Sequence, residues 1–126
     1  MEVGAMVDIT DFRSVEEYRQ WLRMYRLFRD YPIESIRHKG LEHLPGIERH
    51  VGGEYFAKLM RDWRDALWDS DSDRIREIAL DTTQYGIDMR QINPFQGVMS
   101  QEDVSRVIKD SRDEQRRVLS SAQSFV

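Results

Sequence analysis

In "SVEEYRQWLRMYRLFRDY", residues 14–31, apolar side chains return every three or four positions: Val15, Tyr18, Trp21, Leu22, Tyr25 and Phe28. That period follows one face of an α-helix and fits no half-buried strand, whose faces alternate at every second residue. Ser14 with Glu17 three later is a capping box, which marks the start of the helix. Met24, Leu27 and Tyr31 widen the apolar stripe, so this helix is either central or covered by a partner.

The same period recurs downstream. Pro32 ends the first helix and suits the first position of the next. "PIESIRHK" turns Ile33 and Ile36 inward, and Gly40 reads as its left-handed stop. Pro45 reopens a helix. "IERHVGGEYFAKLMRDWRDALW" places Val51, Tyr55, Phe56, Leu59, Met60, Trp63 and Leu67 on one broad face. Gly52-Gly53 costs about 1 kcal/mol per residue in a helix interior, so that helix kinks there or begins after it. "DSDSDRIREIALDTTQY" follows, with Ser70 or Ser72 as N-cap. A last helix starts at Ser100 with Asp103 three later. Its polar middle (Ser111, Glu114, Gln115) predicts an end that projects beyond the bundle, and Glu102–Arg106 and Asp113–Arg117 are spaced for ion pairs. Between these two helices, "GIDMRQINPFQGVM" reads as an ordered loop, too apolar for disorder.

The expected fold is therefore all-α: a compact, irregular bundle of four to five helices. It is a single helical domain over 1–126, with a flexible arm at 1–10, corners at 30–32 and 40–45, and one long ordered loop at about 86–99. A chain of 126 residues buries enough surface to fold without a staple. It has no cysteine, which removes thiolate chemistry and disulfides and fits a reducing compartment. No basic, apolar leader and no membrane-length apolar run is visible. The expected location is the cytoplasm.

The net charge of −4 argues against nucleic acid as a dominant partner. The charge is uneven. Residues 18–29 hold four arginines and no acid, whereas 62–88 hold eight acids and three arginines. Such asymmetry can orient a partner or pair two copies.

"RHKGLEHLPGIERH" contains every histidine: His38, His43 and His50. On one continuous helix His38 and His43 would point about 140° apart at 100° per residue. His43 and His50 would share a face but stand roughly 10 Å apart along the axis. They are weak metal candidates that only a tight corner at Gly40 and Pro45 would unite. "DSDSD" at 69–73 has Arg74 and Leu80 where a calcium loop needs Gly and Glu, so helix capping explains it better. "IERHVGGEYFAKLMRDWR" has the gait of a helix-turn-helix. Lys58 and Asp62 stand where its apolar residues belong, and Leu59 and Trp63 come one residue late. No phosphate-binding glycine loop or nucleophile motif is present.

These features predict a non-enzymatic interaction or regulatory (adaptor) module that binds a protein partner or itself, with no cofactor. The candidate partner-binding residues are Arg19, Trp21, Arg23, Tyr25, Arg26 and Phe28 on the first helix, with Ile92 and Phe95 in the apolar loop. Tyrosine, tryptophan and arginine dominate interface hot spots. Two other classes stay open: nucleic-acid binding through the same arginines, and a metal-dependent enzyme at the corner 38–50.

Overall fold

A computed structural model describes residues 7–69 and 71–123. The described residues form six α-helices: α1 (Val15–Asp30), α2 (Ile33–Glu48), α3 (Glu54–Trp68), α4 (Ser72–Leu80), α5 (Gln84–Gln91) and α6 (Gln101–Gln123). There is no strand among the described residues. The all-helical expectation holds, but the helix count exceeds the expected four to five. The extra helix is α5, which takes up the first half of the expected loop and leaves an irregular stretch over 92–100. Residues 1–6 of the expected arm lie outside the described residues. Its remainder is packed: Ile9–Asp11 form a 3-10 turn with Ile9 buried, and Val7 lies against the core.

Two helix boundaries depart from the spacing argument for a steric reason. α2 does not stop at Gly40. A Cβ there would lie 2.8 Å from Leu67 Cδ2 and 3.0 Å from Phe95 Cε1, so the glycine lets α2 approach the core. Pro45 lies inside the last turns of α2, where its missing N–H removes one helical hydrogen bond. The other corner behaves as the glycine pair requires: α3 begins after it, with Gly53 at φ +91 as its N-cap.

Three helix starts, those of α1, α4 and α6, are capped by side chains. Ser14 Oγ accepts from the Glu17 N–H at 3.2 Å, and Ser100 Oγ accepts from the Asp103 N–H at 3.1 Å. Asp71, rather than a serine, caps α4 by accepting from the Asp73 N–H at 3.0 Å. Ser70 lies outside the described residues.

The helix ends have an unusual solution. The last carbonyls of an α-helix have no internal donor, and here side chains from other helices supply one. Arg37 of α2 donates to the carbonyls of Leu67 (2.7 Å) and Asp69 at the end of α3. Trp21 of α1 donates to Leu80 O at 3.0 Å, and Arg90 of α5 donates to Ala79 O at 3.0 Å and Asp81 O at 2.6 Å. Trp63 of α3 donates to Met89 O, also at 3.0 Å, at the end of α5. Hydrogen bonds of this kind stabilise by about 0.5–3 kcal/mol each, the charged ones most. They also fix the angle between helices, because each links a helix end to a residue of a different helix.

Arg90 is 2% exposed, and its Nε and Nη2 have no partner among the described residues. Burial pushes its guanidinium down to about 10, while the Asp81 and Glu17 carboxylates pull it the other way. Around these caps the core closes on Phe95, which meets Trp63 edge-on at 5.1 Å and Phe28 at 5.8 Å.

Candidate functional site

The expected partner surface on α1 is largely occupied by the chain itself. Trp21 and Phe28 are buried in the core. Tyr25 stacks on Trp21 with ring centroids 5.4 Å apart. Arg19 donates to Ser111 Oγ at 2.8 Å, and Arg26 pairs with Asp110 at 2.7 Å. Phe95 is 2% exposed. Trp21, Phe28 and Phe95 therefore hold the bundle together rather than presenting a face. The physical reason is α6. In its polar middle Ser111 is fully buried and accepts from Arg19, and neighbouring Asp110 takes Arg26, whereas Glu114 pairs with Arg117 of α6 itself and Gln115 is exposed. Arg23 has no hydrogen bond or ion pair among the described residues, and Ile92 is half-buried. Of the expected i,i+4 pairs in α6, Glu102–Arg106 forms at 2.7 Å, whereas Arg117 turns to Glu114 and Asp113 to Lys109.

Several acids of 62–88 are engaged within the fold. Asp62 accepts from Tyr85 at 2.7 Å, Asp88 from Tyr55 and Gln84, and Asp81 from Thr83. Burial and the Asp62 hydrogen bond raise the Tyr85 hydroxyl well above its ordinary value.

The histidine corner opens as a cleft. The last turns of α2 and residues 91–96 enclose about 680 Å³. Half-buried Ile47, Val51 and Ile92 form its apolar floor, and exposed Pro45, Arg49, His50, Gln91 and Gln96 form its rim. Because Pro32 starts α2 and Gly40 lets it run on to Glu48, Ile47 is carried to the cleft. The glycine pair turns the chain immediately after Val51. On the opposite wall, Asn93 shapes the loop: its side chain donates to Arg90 O at 2.9 Å and accepts from the Phe95 N–H at 3.1 Å.

His43 lines the cleft, and its Nδ1 lies 3.2 Å from the carbonyl of buried Pro94. A carbonyl only accepts, so Nδ1 carries the proton, and His43 pins the loop to α2. His50 Nδ1 likewise donates to Gly46 O at 2.8 Å. His38 lies mid-helix, 81% exposed in its side chain, with Nε2 3.8 Å from Glu42. Among the described residues no three His, Asp or Glu side chains are placed to hold a metal ion.

A second depression of about 260 Å³ shares Val51 with the first and is lined by Glu48, Met60, Arg61 and Arg64. Arg64 pairs with Glu48. Arg49 and Arg61 have no ion pair or hydrogen bond among the described residues. Spacing alone did not single out Arg49, Gln91 or Gln96. The available signal was Gly52-Gly53, which marks the corner where α2 and α3 diverge.

No helix among the described residues is long and apolar enough to cross a membrane. Comparison with protein-family models, with curated proteins and with solved structures finds no significant match.

Proposed function

We propose that this chain is a non-enzymatic protein-binding module of a regulatory or adaptor kind, acting in the cytoplasm. Its partner, another protein or a second copy, docks in the cleft between the end of α2 and residues 91–96. The observation that carries this reading is the cleft itself: about 680 Å³, with half-buried Ile47, Val51 and Ile92 surrounded by exposed polar groups, the apolar-centre and polar-rim make-up of a protein-docking surface. Ile92, expected from the sequence to meet a partner, lies in it.

The energetics assign roles to floor and rim. Completing the burial of half-exposed Ile47, Val51 and Ile92 yields about 1 kcal/mol apiece. Micromolar affinity needs about 8 kcal/mol. The rim must supply much of the remainder, and hydrogen bonds to charged groups contribute about 1.5–3 kcal/mol each.

The two other readings have less support. Nucleic-acid binding through α1 would have to compete with Ser111 for Arg19 and with Asp110 for Arg26. Metal-dependent chemistry at 38–50 would need three converging His, Asp or Glu side chains, and no such set is placed among the described residues.

Site-specific photocrosslinking in the source cell tests the proposal. A benzophenone side chain at position 92 should capture a discrete partner, and the same group at exposed position 119 on α6 should not. Val51→Asp should remove the capture at 92. Equal capture from both positions, or capture indifferent to Val51→Asp, would refute it.

A further inference from the structure

On the reading that this cleft is the docking site, we infer that its occupant is an extended peptide segment of a protein partner that carries acidic residues beside aliphatic ones. The segment crosses Val51 from the first depression into the second.

Charge is the first argument. The chain carries −4 overall, yet the uncompensated charges that line the two depressions are positive. Arg49 lines the first depression and Arg61 the second, both exposed and neither paired among the described residues. The two acids present are already engaged. Glu48 pairs with Arg64, and Glu42 lies 3.8 Å from both His38 Nε2 and Lys39 Nζ. A guanidinium takes a carboxylate through two parallel hydrogen bonds.

Shape is the second argument. Two depressions of about 680 Å³ and 260 Å³ meet at one side chain, Val51. A ligand that uses both arginines has to be elongated. The third argument is hydrogen-bonding capacity. Gln91 and Gln96 line the first depression, and their side-chain amides have no partner among the described residues. A primary amide offers donor and acceptor together, which matches a peptide backbone. Aliphatic side chains of the segment would lie on Ile47, Val51 and Ile92.

The test is selection of a random twelve-residue peptide library displayed on phage against the full chain, followed by fluorescence anisotropy of the winning peptides. The expected winners carry Asp or Glu within two positions of Leu, Ile or Val. Arg49→Gln and Arg61→Gln should each weaken a winner by about tenfold, and Val51→Asp should abolish binding. Both arginines are exposed and unpaired, so these variants should keep the wild-type circular dichroism. Winners without acidic enrichment, or winners that bind both arginine variants as tightly as wild type, would overturn the inference while leaving the cleft in place if Val51→Asp still abolishes binding. Winners indifferent to Val51→Asp would overturn the cleft reading as well. Failure to enrich any peptide, or tighter cleft binding by a twelve-nucleotide oligothymidylate, would also overturn the inference.

Discussion

Gly86→Ala should destabilise the chain by about 2–5 kcal/mol, although alanine is the better helix former. A Cβ built on Gly86 lies 1.8 Å from the carbonyl oxygen of Asp81 and 2.5 Å from its carbonyl carbon. Both are backbone atoms, so no side-chain rotation relieves the clash. The Asp81 carbonyl has to move by more than an ångström, and that carbonyl accepts from Arg90 Nη1 at 2.6 Å. Losing a charged hydrogen bond costs about 1.5–3 kcal/mol, and overpacking adds about 1–3 kcal/mol. The gain in helix propensity returns at most about 1 kcal/mol.

Two other helical glycines serve as controls. At Gly46 the nearest atom to a Cβ is Arg49 Nη2 at 3.9 Å, so Gly46→Ala should be neutral or stabilise by up to about 1 kcal/mol. At Gly40 the obstacles are the ends of the Leu67 and Phe95 side chains at 2.8–3.2 Å, so Gly40→Ala should fall between the other two. The assay is urea unfolding followed by helical circular dichroism and tryptophan fluorescence, to which buried Trp21 and Trp63 respond. The order predicted is Gly46→Ala most stable, Gly40→Ala intermediate, Gly86→Ala least stable. A Gly86→Ala variant as stable as wild type would refute the account of how α4 and α5 are joined.

The helix-end caps make a second prediction. Arg37→Met leaves the carbonyls of Leu67 and Asp69 without their shared donor and should cost about 2–4 kcal/mol; an unchanged urea midpoint would argue against it. A third concerns alkaline pH. The Tyr85 hydroxyl is raised from an ordinary value of 10.0, so its contribution is complete below pH 10 and fades as pH climbs through the higher folded value. Tyr85→Phe should flatten the fall in stability above pH 10. At the acid end the Arg13 hydrogen bond holds the Glu17 carboxyl below its ordinary 4.5, so that contribution is present above pH 4.5 and is lost as pH falls further. Glu17→Gln should reduce the acid slope measured by the same unfolding curves.

Helical period made α1, α3 and α6 legible because each repeats its apolar face over several turns. It missed α5, which has only eight residues and contains a glycine kept for close approach to Asp81 rather than for a turn. Gly40 misled for a related reason: a glycine that stops a helix and one that admits a neighbouring side chain look alike in sequence. The arginine–aromatic helix looked open because its cover, Ser111 and Asp110, lies more than eighty positions away. Spacing could not connect the polar stripe of α6 to the arginines of α1. The histidine stretch was expected to break at 40–45, but α2 runs through it to Glu48; His43 and His50 meet carbonyls, and His38 stays exposed beside Glu42. What makes it a cleft is where the loop after α5 lands, a tertiary fact with no local signal.

Hydrogen exchange tests the central claim most directly. It would be measured by mass spectrometry on the chain alone and on the complex captured from its own cells. Docking in the cleft predicts slowed exchange over 42–51 and 91–96, with little change over 19–28. Protection centred on 19–28, with 42–51 and 91–96 unchanged, would contradict it and return the partner to α1.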